Sequence, residues 1–262
     1  MKNDRAYNNV DFIPDGAAYP DTWADDARAY REVESAVGRA RLNEAYGPGE
    51  RQKMDVFYPS GKPEGLVVFV HGGYWLRFDR THWSHFATGL TARGWVVAMP
   101  SYSLAPQARI SEIGAEIVQA ISAAAALVDG PIRLTGHSAG GQLAARVAVG
   151  EMLPDAVRAR LKAVVPISPV SDLRPLRETS MNADLRLDEA EAVAESPTLL
   201  APPDVAVSVW VGAEERPVFL DQARWLAQAW NAEHGEVPAR HHFDVIDELR
   251  DADSTLVNTI LA

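Results

Sequence analysis

In Gly136-His137-Ser138-Ala139-Gly140 a serine stands between two glycines, each two positions away. An apolar run, Ile132-Arg133-Leu134-Thr135, precedes the motif, and a helix-like run opening on small residues follows it. A serine on a sharp strand-to-helix turn takes a strained backbone conformation, and side chains two positions to either side would collide with the neighbouring strand and helix. Glycines remove that collision. The same turn sets the serine at a helix N-terminus, where free N–H groups and the helix dipole favour developing negative charge. Ser138 is therefore the expected nucleophile, and the N–H of Ala139 the expected donor to an oxyanion.

Acyl transfer needs more than one such donor, since losing one costs roughly 3 kcal/mol of barrier. Val70-His71-Gly72-Gly73-Tyr74-Trp75 supplies the pattern for a second: strand-forming residues stop at His71, and Gly72 and Gly73 can turn the backbone so that N–H groups face the serine. His71 itself is read as orienting this loop and not as the base. A base and an acid must then follow Ser138, each in a loop after a late strand. Val205–Val211 runs into Gly212-Ala213-Glu214-Glu215-Arg216-Pro217, where Glu214 and Glu215 compete for the acid. His234, His241 and His242 are the remaining histidines. His234 lies in the polar stretch NAEHGEVP, which reads as a solvated linker, and adjacent side chains point to different sides, so only one of His241 and His242 is expected to face the serine. His82 and His85, three apart, lack a third partner for a metal site, and neither metal nor cofactor is expected.

The elements that must hold these groups alternate along the chain. Strands are expected at Met54–Tyr58, Leu66–Val70, Trp95–Met99, Ile132–Thr135, Ala163–Ile167 and Val205–Val211, with a short last one at Ala239–His241. Helices are expected at Thr81–Arg93, Ser111–Val128, Ala139–Gly150, Pro217–Asn231 and Asp244–Leu261. This is the pattern of an α/β fold, a mostly parallel sheet with helices on both faces. A chain of 262 residues suits one domain, with residues 1–50 as a segment packed on it. Residues 172–203, charged and interrupted by Pro175, Pro197, Pro202 and Pro203, read as a cap or lid insertion with a short helix over Asp188–Glu195.

Composition narrows the partners. A formal net charge of −11 argues against a broad phosphate-binding face, so no nucleic acid is expected. No run of about 18 apolar residues and no secretory pattern at MKNDRAYNNVDFIPD is seen, so no membrane partner is expected and a cytoplasmic location is. With no cysteine, covalent catalysis must use another residue. Monomer and homodimer are equally compatible with the sequence.

These residues together resemble the α/β-hydrolases of the kynurenine formamidase (arylformamidase) and related esterase group, which carry H-G-G-x-W, here His71-Gly72-Gly73-Tyr74-Trp75. The likeness extends over YGPGERQKMDVFYP, PSYSLAPQARISEI, GHSAGGQLA, ISPVSDLRPL and HHFDVIDEL. G-x-S-x-G is common to the whole fold, whereas H-G-G-x-W with a terminal H-F-D is more restrictive. The resemblance implies Ser138 as nucleophile, Gly72 and Gly73 as the oxyanion loop, and His242, directly before Phe243-Asp244, as base. It places the acid on Glu215, where many members carry Asp. It also implies a cofactor-independent serine hydrolase acting on a small-molecule acyl substrate, an aryl formamide such as N-formylkynurenine or a short-chain ester. A general carboxylesterase or thioesterase is the alternative, followed by a ligand-binding member of the fold without turnover. Aromatic residues near the first motif are candidates for a pocket, unless Trp75, Trp83 and Tyr102 belong simply to the core.

Overall fold

The computed structural model describes all 262 residues. Eight strands form one sheet in the order β1-β2-β4-β3-β5-β6-β7-β8. They are β1 (Ala40–Ala45), β2 (Lys53–Phe57), β3 (Gly65–Val70), β4 (Trp95–Pro100), β5 (Ile132–His137), β6 (Leu161–Ile167), β7 (Ala206–Gly212) and β8 (Glu233–Val237). β1–β2 and β2–β4 pair antiparallel and every other neighbouring pair is parallel.

The helices are α1 (Tyr19–Ala36), α2 (Thr88–Ala92), α3 (Ile110–Ala125), α4 (Ala139–Val147), α5 (Asp155–Arg158), α6 (Asn182–Leu185), α7 (Glu189–Ala194), α8 (Pro217–Trp230) and α9 (Thr255–Leu261). The pleat decides which face each strand residue serves. Leu66, Val68 and Val70 of β3 join the core formed with α3 and α4, whereas Val67 and Phe69 join the core formed with Trp23 of α1, Leu90 of α2 and Ile260 of α9. Burial on both faces is why the central strands are continuous apolar runs.

The strand order creates the site. The chain leaves β3 for β4 on one side, while β5 pairs on the other, in register through Val70 and Gly136. A crevice opens outside the carboxyl ends of strands at such a switch. The loops after β3 and β5, carrying the two glycine motifs, therefore emerge side by side.

Three expected elements differ. Residues 239–241 are no strand, because Ala239 has φ +57°, incompatible with extended chain; the last strand is β8, which places His234 on an exposed sheet edge and not in a linker. Asp244–Leu261 is a 3-10 turn over Val245–Arg250, then extended chain at Asp251, then α9, capped by the Ser254 side chain accepting from the Val257 N–H at 3.1 Å. Thr81–Arg93 is two 3-10 turns, Arg80–His82 and Ser84–Ala87, separated at Trp83, before α2 begins. α1, α5, α6 and β1 are additional to the expected elements.

Residues 172–203 contain a 3-10 turn at Arg174–Glu178, α6, α7 and a second turn at Pro197–Leu199; Asp188 caps α7, near the expected short helix. The N-terminal segment is bonded to this region. The Ser180 N–H donates to Asp4 Oδ1 at 2.6 Å, and Asn3 Nδ2 donates to the Pro175 carbonyl at 2.9 Å.

Candidate active site

Ser138 sits between β5 and α4 with φ 58° and ψ −117°. A Cβ on Gly140 would lie 2.0 Å from the Val70 carbonyl oxygen, and one on Gly136 would lie 2.4 Å from that of Gly140. Only glycine fits at either position, so the strained serine is held by backbone contact on both sides.

The Ser138 hydroxyl donates to His242 Nε2 at 3.0 Å, and His242 Nδ1–H donates to Glu215 Oε2 at 2.5 Å. All three side chains are buried. The other oxygen of Glu215 accepts the Gly212 N–H at 2.8 Å and the Ser168 hydroxyl. These donors fix the carboxylate so that Oε2 faces the imidazole, which sets the tautomer a Ser–His pair requires. Glu214 is exposed, and its N–H donates to the Arg240 carbonyl. His241 turns away, its Nε2 3.2 Å from the Tyr19 hydroxyl and its Nδ1 3.0 Å from Asp244.

Ser168 and His137 have roles that the sequence analysis did not assign. Ser168 has φ +48° and directly follows β6. Its signal in the sequence was its position: the first residue after a buried strand, on the edge where the acid and base loops also emerge. His137 Nε2–H donates to the His242 carbonyl at 2.8 Å. Burial, reinforced by nearby His242, holds the His137 pKa well below the usual histidine range, so its ring is neutral and serves as a fixed donor.

His71 is also neutral, burial bringing its pKa down to about 3. Its Nδ1–H donates to the Gly72 carbonyl at 2.7 Å, and its ring stacks on Tyr102 at 4.2 Å with a 9° interplanar angle. This fits a residue that holds the loop. A Cβ on Gly72 would stand 3.2 Å from that of Ser138, and Gly73, at φ +113°, would drive a Cβ to 2.4 Å from the Arg77 carbonyl. The N–H groups of Gly72, Gly73 and Ala139 donate to no acceptor within the protein. His82 lies 3.4 Å from Asp79, while both ring nitrogens of His85 are buried without partners.

A cavity of about 600 Å³ opens on Ser138 and His242. Trp23, Phe78, Trp83 and Phe243 contribute aromatic wall, and Tyr74 and Gly73 bound it near the oxyanion loop. Trp83 thus serves both core and cavity, whereas Trp75 and Tyr102 are fully buried core residues. Much of the remaining wall comes from residues 4–20, which the sequence analysis treated only as a packed segment.

A fold with this switch-point crevice and this buried Ser–His–Glu chain defines a class, the hydrolases of the α/β type. Comparison agrees: residues 67–246 match the pattern of the alpha/beta hydrolase fold, and the chain belongs to that family. It is an enzyme of the hydrolase class. The chain is 30% identical to a kynurenine formamidase of Drosophila melanogaster, over 86% of this chain and 81% of that one. It is 29% identical to the Salmo salar kynurenine formamidase, over 87% and 84%. A crystal structure of a candidate thioesterase from Silicibacter sp. TM1040 superposes with a TM-score of 0.98 at 54% identity, over 100% of both chains. Esterase B from Lactobacillus rhamnosis shares the fold, with a TM-score of 0.68 at 19% identity over 94% and 93%.

Proposed function

We propose that the protein is a cofactor-independent serine hydrolase that cleaves a small acyl substrate, most specifically an aryl formamide of the N-formylkynurenine kind. The observation that carries this reading is the buried chain of bonds from Ser138 through His242 to Glu215, opening into a cavity with aromatic walls.

In this mechanism Ser138 Oγ attacks the substrate carbonyl carbon while its proton passes to His242 Nε2, and the Glu215 carboxylate stabilises the imidazolium. The N–H groups of Gly73 and Ala139, with Gly72, hold the oxyanion of the tetrahedral intermediate. His242 then gives the proton to the leaving nitrogen or oxygen, and the C–N or C–O bond breaks to leave an acyl ester on Ser138. Water, deprotonated by His242, attacks that ester; its collapse releases the carboxylic acid and restores Ser138. Burial makes His71 and His137 weak bases, and each commits a ring nitrogen to a backbone carbonyl, so His242 is the imidazole bonded to the serine.

The formamidase names of the curated relatives support the substrate, and a flat aryl group would stack against Trp23, Phe78, Trp83 and Phe243. We read the chain as one catalytic domain with residues 172–203 as a cap, because Ser180 and Met181 reach the cavity wall. A short-chain ester or thioester is the second reading, favoured by the 54% identity to the Silicibacter protein.

A fluorophosphonate probe is expected to label Ser138, and Ser138→Ala to abolish both labelling and hydrolysis; full activity in that variant would overturn the mechanism. Turnover of N-formylkynurenine, p-nitrophenyl acetate and a short acyl thioester then separates the substrates. A formamide advantage of roughly tenfold or more in kcat/KM is expected. Equal rates would rule out a dedicated formamidase, and a thioester advantage would establish the second reading.

A further inference from the structure

The N-terminal wall of the cavity presents Asp4, Asn8, Asn9 and Asp11. Three of these side chains are committed within the protein: Asp4 accepts from the Ser180 N–H, and Asn8 and Asp11 bond one another. Asn9 is not. It stands at the start of the 3-10 turn Val10–Phe12, where an asparagine carboxamide commonly caps the turn, yet its side chain makes no capping bond. It is only 5% exposed, and its Oδ1 is buried without a partner. Its Nδ2 donates to no protein acceptor either, so the carboxamide does nothing for the fold that a hydrocarbon of similar size would not do better.

The backbone beneath it is well fixed. The Tyr74 hydroxyl donates to the Tyr7 carbonyl at 2.6 Å, and Gln222 Nε2 donates to the Tyr7 hydroxyl at 2.9 Å. Tyr74 directly follows the oxyanion loop, so the strand of chain that carries Asn9 is tied to the same loop that faces Ser138. A buried, unpartnered amide on a fixed cavity wall is arranged as a binding group.

We propose that Asn9 is a specificity-determining residue, its Nδ2–H donating to an uncharged carbonyl-type oxygen of the substrate other than the one under attack. This rests on the reading of Ser138 as nucleophile. Oδ1 is sealed from solvent, which leaves Nδ2 as the atom to offer. The carboxylates of Asp4 and Asp11 on the same wall disfavour an anionic acceptor beside it. Arg77, the cation on the cavity wall, is exposed and lies over the Phe78 ring. A site built to hydrogen-bond one substrate group discriminates strongly against an analogue lacking it, because the protein group is then buried unpaired.

The test uses two shape-matched pairs of esters. 4-Nitrophenyl 4-oxopentanoate against 4-nitrophenyl 4-methylidenepentanoate varies the acyl side; 2-acetylphenyl acetate against 2-isopropenylphenyl acetate varies the leaving side. The readout is the kcat/KM ratio within each pair, compared between the wild-type protein and its variants, so intrinsic reactivity cancels. In at least one pair Asn9→Leu is expected to lower the carbonyl-to-hydrocarbon ratio by roughly 10- to 100-fold. Asn9→Asp, which keeps the size but removes the donor, is expected to lower it as well, and decides the matter if the leucine variant does not fold. Ratios unchanged in both pairs would overturn the proposal. A ratio lost in Asn9→Leu but kept in Asn9→Asp would overturn the donor role. Fluorophosphonate labelling of Ser138 is followed in parallel: its absence in the wild-type protein counts against the hydrolase mechanism, whereas unchanged ratios with labelling intact count against Asn9 alone.

Discussion

The two sides of the cavity are built on different principles. On one side, Ser138, Glu215 and His242 leave the carboxyl edge of the sheet on short loops. There, backbone atoms crowd the glycines and each functional side chain has a bonded neighbour. On the other, residues 4–18 have no regular structure beyond the 3-10 turn at Val10–Phe12, and are held by a few long-range bonds through Asn3, Asp4 and Tyr7. Under the proposed mechanism the sheet edge governs what bond is broken, while a strap anchored on loops and on α8 governs what fits. A substitution on the first side should act on turnover, and one on the second on binding.

The largest effects should fall on the sheet side. His242→Gln is expected to lower kcat about 10⁶-fold and Glu215→Gln roughly 10⁴-fold, as losses from an interdependent triad. Glu214→Gln should stay within about threefold of wild type because the side chain is exposed, and His241→Gln, whose ring faces Tyr19 and Asp244 and not Ser138, should cost far less than His242→Gln. Steady-state kinetics on p-nitrophenyl acetate measure all four; a reversed order within either pair would show that the neighbouring residue is the functional one. Ser168→Ala comes next. One of the two donors on Glu215 Oε1 is lost while the Gly212 N–H remains, so a drop in kcat of about tenfold is expected. An unchanged kcat would show that the Gly212 N–H suffices. The smallest effect belongs to the strap. Tyr74→Phe removes the bond to the Tyr7 carbonyl, about 1 kcal/mol, and should raise KM a few-fold with kcat within about twofold. If kcat fell and KM held, the proposed division between the two sides would fail.

The same division explains what could be read from the sequence. The elbow was legible because its glycines answer a steric demand that few other arrangements impose, and the central strands because burial on both faces makes them apolar throughout. The choice of His242 over His241 and of Glu215 over Glu214 needed the family resemblance, since spacing alone does not rotate a loop. β1 was missed because it is an edge strand, ARLNEA, with no buried residue. α1 buries only Trp23, Ala27 and Glu34, too thin a stripe to stand out. Ser168 was passed over because a single serine after a strand has no pattern. The N-terminal wall was invisible for a deeper reason: NNVDFIPDG has the composition of a loop, and its contribution depends on which distant residues it meets.

That meeting has a consequence for synthesis on the ribosome. The cavity joins Asp4 to Phe243, so the earliest-made part of its wall must wait for the latest. During that interval Tyr7 meets first Tyr74 and then Gln222, which bond its carbonyl and its hydroxyl in the finished protein. Domains emerge N-terminal end first at about 5–20 residues per second, so a chain paused before the His242 loop would display the strap while lacking the base. Activity should therefore appear abruptly, with the last segment, and not grow in proportion to length.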